Sequence, residues 1–321
     1  LEEFSKGIIL PHEFTLSKAK EDRLNLMKAT NCNFSQIYAL YMDEKHTTLA
    51  TIDEQSKAKA DLEFTDETGV THRLWIETDE EIIAKLVADF ADRKLYIADG
   101  HHRYETALNY RNYCRENGIS KPGDPQDFQM IYLVDMEHPG LVVFPTHRLV
   151  RDLPNFDKEA VLEKCSEFFY IDEKEGTDTM EDDLKKLYDE GKKAFGFYCG
   201  KGEWFLLTLK NIDIMSQMLP DVSKASQSLD VSVLHTLILE KIFGIDKENM
   251  AKQINLTYTK FFTEAIDGVD KGEFQCSFVL NPTRVTEIRD VAAAGEKMPQ
   301  KSTYFYPKMI TGMVMNNLGV D

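Results

Sequence analysis

The stretch KLYIADGHHRYETALNYRNYCRENG, residues 94–118, decides how this chain is read. It opens on a short apolar run, Leu95 to Ala98, and breaks at Asp99 and Gly100. It then continues as a helix with Tyr104, Ala107 and Leu108 on one stripe, ended by Gly118. A strand that ends where a helix begins leaves the first helical N–H groups without intrahelical partners, a ready site for an anion. Gly100 permits close approach of a ligand to the backbone. His101, His102 and Arg103 add donors and positive charge at the same point, and Arg103 offers a fork that fits phosphate oxygens. An acid is not needed to bind an anion and would repel it, so Asp99 requires its own reason. It can hold a metal between itself and phosphates, or accept the proton of a hydroxyl that attacks a phosphoryl group. It can equally cap the helix, with the two histidines as surface residues.

Working outward, Leu16 to Asn31 reads as a helix and 34–42 as a strand. Residues 43–70 are polar with weak periodicity, and 71–76 is a short strand. Thr78 is placed to cap a helix whose Ile82, Ile83, Leu86, Val87 and Phe90 fall at helical spacing. Downstream, 131–136 and 141–150 read as two strands joined by a turn at Pro139 and Gly140, closing a first lobe over 1–150. The second lobe, 151–321, reads as helices over 157–169 and 178–190 and a hairpin from 194–200 into 203–210. A helix from Leu229 to Phe243 follows, with Val233, Leu234, Leu237, Ile238 and Ile242 on one stripe. Strand 254–258, helix 260–267 and strand 276–282 lead to a helix over 283–294, with Asn281 and Pro282 at N-cap and N1. Strands and helices mixed with hairpins predict an α+β architecture rather than a doubly wound sheet.

Two further clusters carry chemistry. Pro11, His12, Glu13, Phe14 and Thr15 precede the first helix, with Lys20, Asp22 and Arg23 beyond. His12 and Glu13 can face the pocket of Asp99, or the segment can be a helix cap built on Thr15 or Ser17. Near the end, Met298 to Lys308 gathers Lys301, Ser302, Thr303 and three aromatics between prolines, which suits a phosphate or nucleotide contact or an ordinary strand over 304–306. There is no GxxxxGK[ST], no GxGxxG after a strand, no HExxH and no GxSxG. The run Glu181, Asp182, Asp183 reads as a solvated helix face, and His235 as a core residue on an apolar helix.

The composition sets the outer bounds. The 321 residues carry 38 Lys and Arg against 55 Asp and Glu, a net charge of −17, with 42% hydrophobic and 29% charged residues. That is a folded globular chain, and its charge argues against gripping duplex nucleic acid. No stretch reaches the ~20 apolar residues of a membrane span, and the stretch LEEFSKGIILPHEF lacks a basic region followed by an apolar one. The expectation is a cytoplasmic protein. The start at Leu1 rather than Met leads to the expectation of a missing upstream segment. Five cysteines occur singly, without CxxC, and are expected as free thiols with no zinc site.

Three segments in order, HEFT…KAKEDRLNLMKA, IADGHHRYETAL and VLNPTRVTEIRDVAAAGEKMPQKSTYFYPKM, resemble the bacterial and archaeal family called domain of unknown function 1015. The DGHHR element also resembles the phosphate-binding turn of the ParB and sulfiredoxin superfamily, which includes free serine kinases. That resemblance implies a ParB/sulfiredoxin-like mixed core with a second α+β lobe, and a segment 281–310 that returns to the site. It implies Asp99 as the acid near a substrate hydroxyl, with His101 and Glu13 as further catalytic groups, the second acid otherwise lying in the missing segment. It also implies His101, His102 and Arg103 as phosphate-binding residues, and Gly100 of the same turn with Lys301, Ser302 and Thr303 of the late cluster are the further nucleotide contacts expected. The activity implied is an ATP- or ADP-dependent, Mg²⁺-assisted phosphotransferase acting on a small hydroxyl compound, with free L-serine as the leading acceptor. A phosphatase on the same cradle and a non-catalytic nucleotide sensor are the alternatives. The partners expected are a small substrate and a nucleotide, with neither nucleic acid nor membrane.

Overall fold

A computed structural model describes residues 1–13, 15, 17–176 and 179–319, with 17–19 described for backbone only. The chain folds as two compact units of mixed α+β architecture, each assembled from separated segments. One comprises Leu1–Leu10, Lys20–Leu141 and 310–319, the other Pro11–Ala19 and Val142–Met309.

The first unit is built on a four-stranded sheet of β1 (Ile9–Leu10), β2 (Ile37–Tyr41), β3 (Leu95–Asp99) and β4 (Ile131–Asp135), in the order β1-β3-β2-β4. β1 runs parallel to β3 and β2 parallel to β4, while β2 and β3 are antiparallel. All five residues of β2 are buried, as an apolar run in a central strand requires. The β2–β3 register places Tyr38 opposite Asp99 but Ala39 opposite Ile97, so Ala98 is an extra residue. A bulge of this kind bends a strand and re-aims its next side chain, here Asp99. Four helices belong to this part of the chain: α1 (Ser17–Thr30), α2 (Thr47–Gln55), α3 (Glu80–Phe90) and α4 (His101–Glu116). Tyr104 and Leu108 of α4 pack with Ile9, Ile37 and Ile97 of the sheet. Ala107, Tyr110 and Cys114 of the same helix pack with Met27 and Leu318. Two apolar stripes thus fix α4, and with it the turn at its start.

The second unit contains β5 (Val142–Phe144), β6 (His147–Val150), β7 (Phe169–Glu175), β8 (Ala194–Tyr198), β9 (Glu203–Leu209), β10 (Leu256–Thr259), β11 (Cys276–Val279) and β12 (Tyr304–Tyr306). Six of them form an antiparallel sheet in the order β7-β9-β8-β11-β6-β10, and β12 pairs with β5. One cluster of its core gathers Trp204, Tyr198, Leu206, Val279, Met180 and Leu184.

Several sequence expectations are corrected. The run 141–150 is not one strand, because Pro145 interrupts it, and β5 and β6 enter different sheets. A single lobe boundary at 150 therefore gives way to a division at 141/142, since β6 pairs with β10 and β11. The helix expected over 157–169 ends at Cys165, and Phe169 begins β7, an edge strand whose alternating charges hide it. Residues 43–70 hold α2 and the strand Leu62–Thr65, which pairs with Thr71–Leu74 and is exposed throughout, so no alternation marks it. Asp79 rather than Thr78 caps α3, accepting from the N–H groups of Glu81 and Ile82. The late helix runs Val285–Ala293 and starts from Arg284, whose backbone N–H donates to Glu287 Oε2 at 2.9 Å. Asn281 instead donates to the Leu184 carbonyl at 2.9 Å. The helix Leu229 to Phe243 is helical over Asp230–Val233 and widens to a π-helix over Leu234–Glu240. Expected helix starts at Leu16 and 178 lie outside the described residues. Among the described residues, no helix is long and apolar enough to cross a membrane. All five cysteines are free.

Candidate active site at the Asp99 turn

Asp99 is the last residue of β3 and Gly100 the N-cap of α4. Gly100 has φ 96°, a left-handed conformation that side chains rarely adopt. A Cβ on it would also stand 3.0 Å from Arg103 Nη2. Glycine is thus required twice, by the turn and by the guanidinium laid against it.

Arg103 is the hub of the turn. Its Nη2 donates to Asp99 Oδ2 at 2.7 Å, and its Nη1 to Ser35 Oγ at 2.8 Å and to the Gln36 carbonyl at 2.5 Å. These contacts fix the plane of the guanidinium and leave part of its donor fork uncommitted among the described residues. Burial lowers the Arg103 pKa, with the charge of Arg23 acting the same way and Asp99 opposing. Arg23 and Arg103 line one small pocket of about 50 Å³ with Ser35, Thr106 and Gln129. Two guanidiniums sharing a pocket beside the start of α4 concentrate positive charge in an acidic molecule.

The two histidines differ. His101 is 4% exposed and packs inward, whereas His102 and Asp99 are partly open to solvent. Of the early cluster, Lys20 pairs with Glu105 at 2.7 Å, and Arg23 lines the same pocket as Arg103.

The remaining expected site residues belong to the second unit. Buried His12 stands 3.3 Å from Thr303 through Nε2, accepts from Met298 N–H through its carbonyl, and meets Phe305 ring to edge. The segments of His12 and of Thr303, far apart in sequence, are therefore one local structure. Glu13 is half-buried beside His12, and Phe14 lies outside the described residues. Lys301 is exposed with φ 55°, its carbonyl accepting from Thr146 and Arg148. Ser302 is 2% exposed, and its hydroxyl donates to the Pro299 carbonyl.

Ser35 and Gln36 were not singled out from the sequence. Nothing local marks them, because their contacts to Arg103 cross 67 and 68 positions. Magnesium is usually held by one or two carboxylates with substrate phosphates and water. Among the described residues no group of three or more potential metal ligands forms. The single carboxylate of Asp99 fits only the mode in which phosphates and water supply most of the coordination.

No curated protein matches the chain. Solved structures are similar at low identity. A conserved hypothetical protein from Pyrococcus furiosus is 14% identical with a TM-score of 0.44, over 97% of this chain and 93% of that one. A free serine kinase in complex with AMP is 13% identical with a TM-score of 0.44, over 93% and 84%. SbnI from Staphylococcus aureus, with a C-terminal truncation, is 9% identical with a TM-score of 0.42, over 93% and 79%. A family model matches residues 1–232, a span that takes in the bulged strand, the Gly100 turn and α4: the chain belongs to the family described as Protein of unknown function (DUF1015).

Proposed function

We propose that the Asp99 turn is the phosphate-binding and catalytic element of a nucleotide-dependent phosphotransferase acting on a small hydroxyl compound, with free L-serine as the leading acceptor. The observation that carries this reading is the Asp99–Arg103 pair at 2.7 Å at the start of α4, with Arg23 beside it. An acid held by a guanidinium next to an anion cradle is the pairing that transfer to a hydroxyl needs, one group for the proton and one for the phosphoryl charge.

In this reading the N–H groups at the start of α4, His102, Arg103 and Arg23 hold phosphate oxygens of ATP or ADP, and Asp99 orients the acceptor hydroxyl and takes its proton. His101, being buried, positions the turn from below. Magnesium, held at Asp99 and by the phosphates, would supply further charge neutralisation. Glu13, Lys301, Ser302 and Thr303 belong to the second unit, and no part at this turn is assigned to them. The ParB/sulfiredoxin-like assignment of the first unit belongs to the same proposal.

The test is to incubate the protein with L-serine, Mg²⁺ and either ATP or ADP, and to follow O-phosphoserine by ³¹P NMR. Formation of O-phosphoserine supports the kinase. Absence of product with serine and with a panel of small alcohols, together with phosphate release from phosphomonoesters, supports a phosphatase. Nucleotide binding with neither activity leaves a sensor.

A further inference from the structure

The second unit holds a cavity of about 590 Å³, within the range of small-molecule sites. Part of its wall is the π-helix Leu234–Glu240, a geometry that is rare and concentrated at functional sites. His235 and Thr236 of that helix line the cavity with Tyr258.

Arg148, 0% exposed, sits behind His235. Its Nη1 donates to the carbonyl and Oγ1 of Thr146, its Nη2 donates to the Lys301 carbonyl at 3.1 Å, and Nη2 also faces His235 Nε2 at 3.1 Å. Burial lowers its pKa to about 10, which leaves it charged at neutral pH. No carboxylate pairs with it among the described residues. A buried cation without a countercharge is costly, and water or an anion is the usual remedy.

The same contact sets the state of His235. A guanidinium only donates, so Nε2 must accept and the ring proton sits on Nδ1. Burial, with the charge of Arg148 adding to it, pushes the His235 pKa well below its ordinary value and keeps the ring neutral. Nδ1–H has no partner among the described residues, although the ring is 6% exposed and lines the cavity. The Tyr258 hydroxyl is likewise buried without a partner among the described residues, while Arg148 lies over its ring at 5.4 Å. The lining's own charges balance, Lys247 and Lys297 against Glu240 and Glu296, and Glu296 is further committed to Ser223 and Ser226. A ring N–H on the cavity wall and a buried hydroxyl on the same lining, backed by one unmatched positive charge beside mainly apolar surface, select a particular ligand.

We propose that this cavity binds a small organic anion, a carboxylate on an apolar body. The carboxylate accepts from His235 Nδ1–H and the Tyr258 hydroxyl, and the body lies against Leu219, Val222 and Met250. All of these residues belong to the second unit.

Calorimetric titration of the full chain with octanoate, octan-1-ol and octylammonium tests it. Octanoate is expected to bind at least about tenfold more tightly than either neutral or cationic analogue. Tyr258→Phe, which keeps the ring under Arg148, is expected to weaken octanoate about tenfold and leave octan-1-ol unchanged. In ¹⁵N-histidine NMR, octanoate is expected to shift one Nδ1–H signal that is missing from His235→Gln. Equal affinity for octanoate and octan-1-ol, an unaltered octanoate affinity in Tyr258→Phe, or no octanoate binding at about 10 mM would each overturn the proposal.

Discussion

Gly100 shows how much one position can decide. Its left-handed φ and the 3.0 Å approach of Arg103 mean that Gly100→Ala must distort the turn or displace the guanidinium. The expected cost is ~1–3 kcal/mol in denaturant unfolding, together with loss of nucleotide binding. A variant as stable as the parent would show that the turn tolerates a side chain. The turn was legible in the sequence because strand, Gly and helix are contiguous there. Arg23 was legible as a candidate too, but the turn's supports at Ser35 and Gln36 were not, since strand register brings them in from a distant segment. A second residue-scale prediction concerns Asp230, ion-paired with Lys193 at 3.0 Å. Burial pushes its pKa up to about 6 from an ordinary 3.8, against the pull of Lys193. A raised carboxyl pKa means that the native state holds the proton more tightly than the unfolded one. The resulting stability is complete below about pH 4 and is lost as pH rises to about 6. His147, lowered to about 4 by burial, acts oppositely in the same window, so the parent profile alone mixes the two. The stability difference between parent and Asp230→Asn should therefore fall by the order of 2–3 kcal/mol between about pH 4 and 6 and then level off. A difference that is flat with pH would contradict a raised Asp230.

At the scale of elements, strong apolar runs and marked turns were readable. The hairpin of β8 and β9, turning at Lys201 and Gly202, follows the expected limits to within two residues. Elements with charged or exposed faces escaped, β7 and the strand Leu62–Thr65 among them, because their partners rather than their own pattern define them. The π-helix escaped for another reason: an apolar stripe has nearly the same spacing whether the helix is regular or widened. Sheet packing supplies its own prediction. A Cβ at Gly196 in β8 would stand 2.6 Å from Val279 Cγ2 and 2.8 Å from Met180 Sδ. Gly196→Ala is expected to cost ~1–3 kcal/mol by overpacking, and Val279→Ala in the same chain should return part of it. Strict additivity of the two in a double-mutant cycle would rule out the contact as the cause.

At the scale of the whole molecule, the separated segments of each unit matter more than any linear boundary. Leu318 is 1% exposed in the cluster with Met27, Tyr110 and Cys114, donates through its N–H to the Asn31 carbonyl, and accepts from Gln126. Deletion of 310–321 therefore opens the core beneath α4, and Leu318→Ala alone should cost ~2–4 kcal/mol. Amide exchange across α4 that stays unchanged in Leu318→Ala would contradict this. The net charge of −17 also takes on a narrower sense. On the proposed reading an acidic molecule needs a concentrated exception to hold phosphates, and Arg23, His102 and Arg103 would supply it at one helix start. The central claim is that Asp99 does chemistry where Arg103 binds. Single-turnover phosphorylation of L-serine, run beside nucleotide binding in Asp99→Asn and Arg103→Ala, tests it most directly. The account predicts that Asp99→Asn loses about 10²–10⁴-fold in rate with little change in nucleotide affinity, whereas Arg103→Ala loses the affinity itself. Full activity in Asp99→Asn would contradict it.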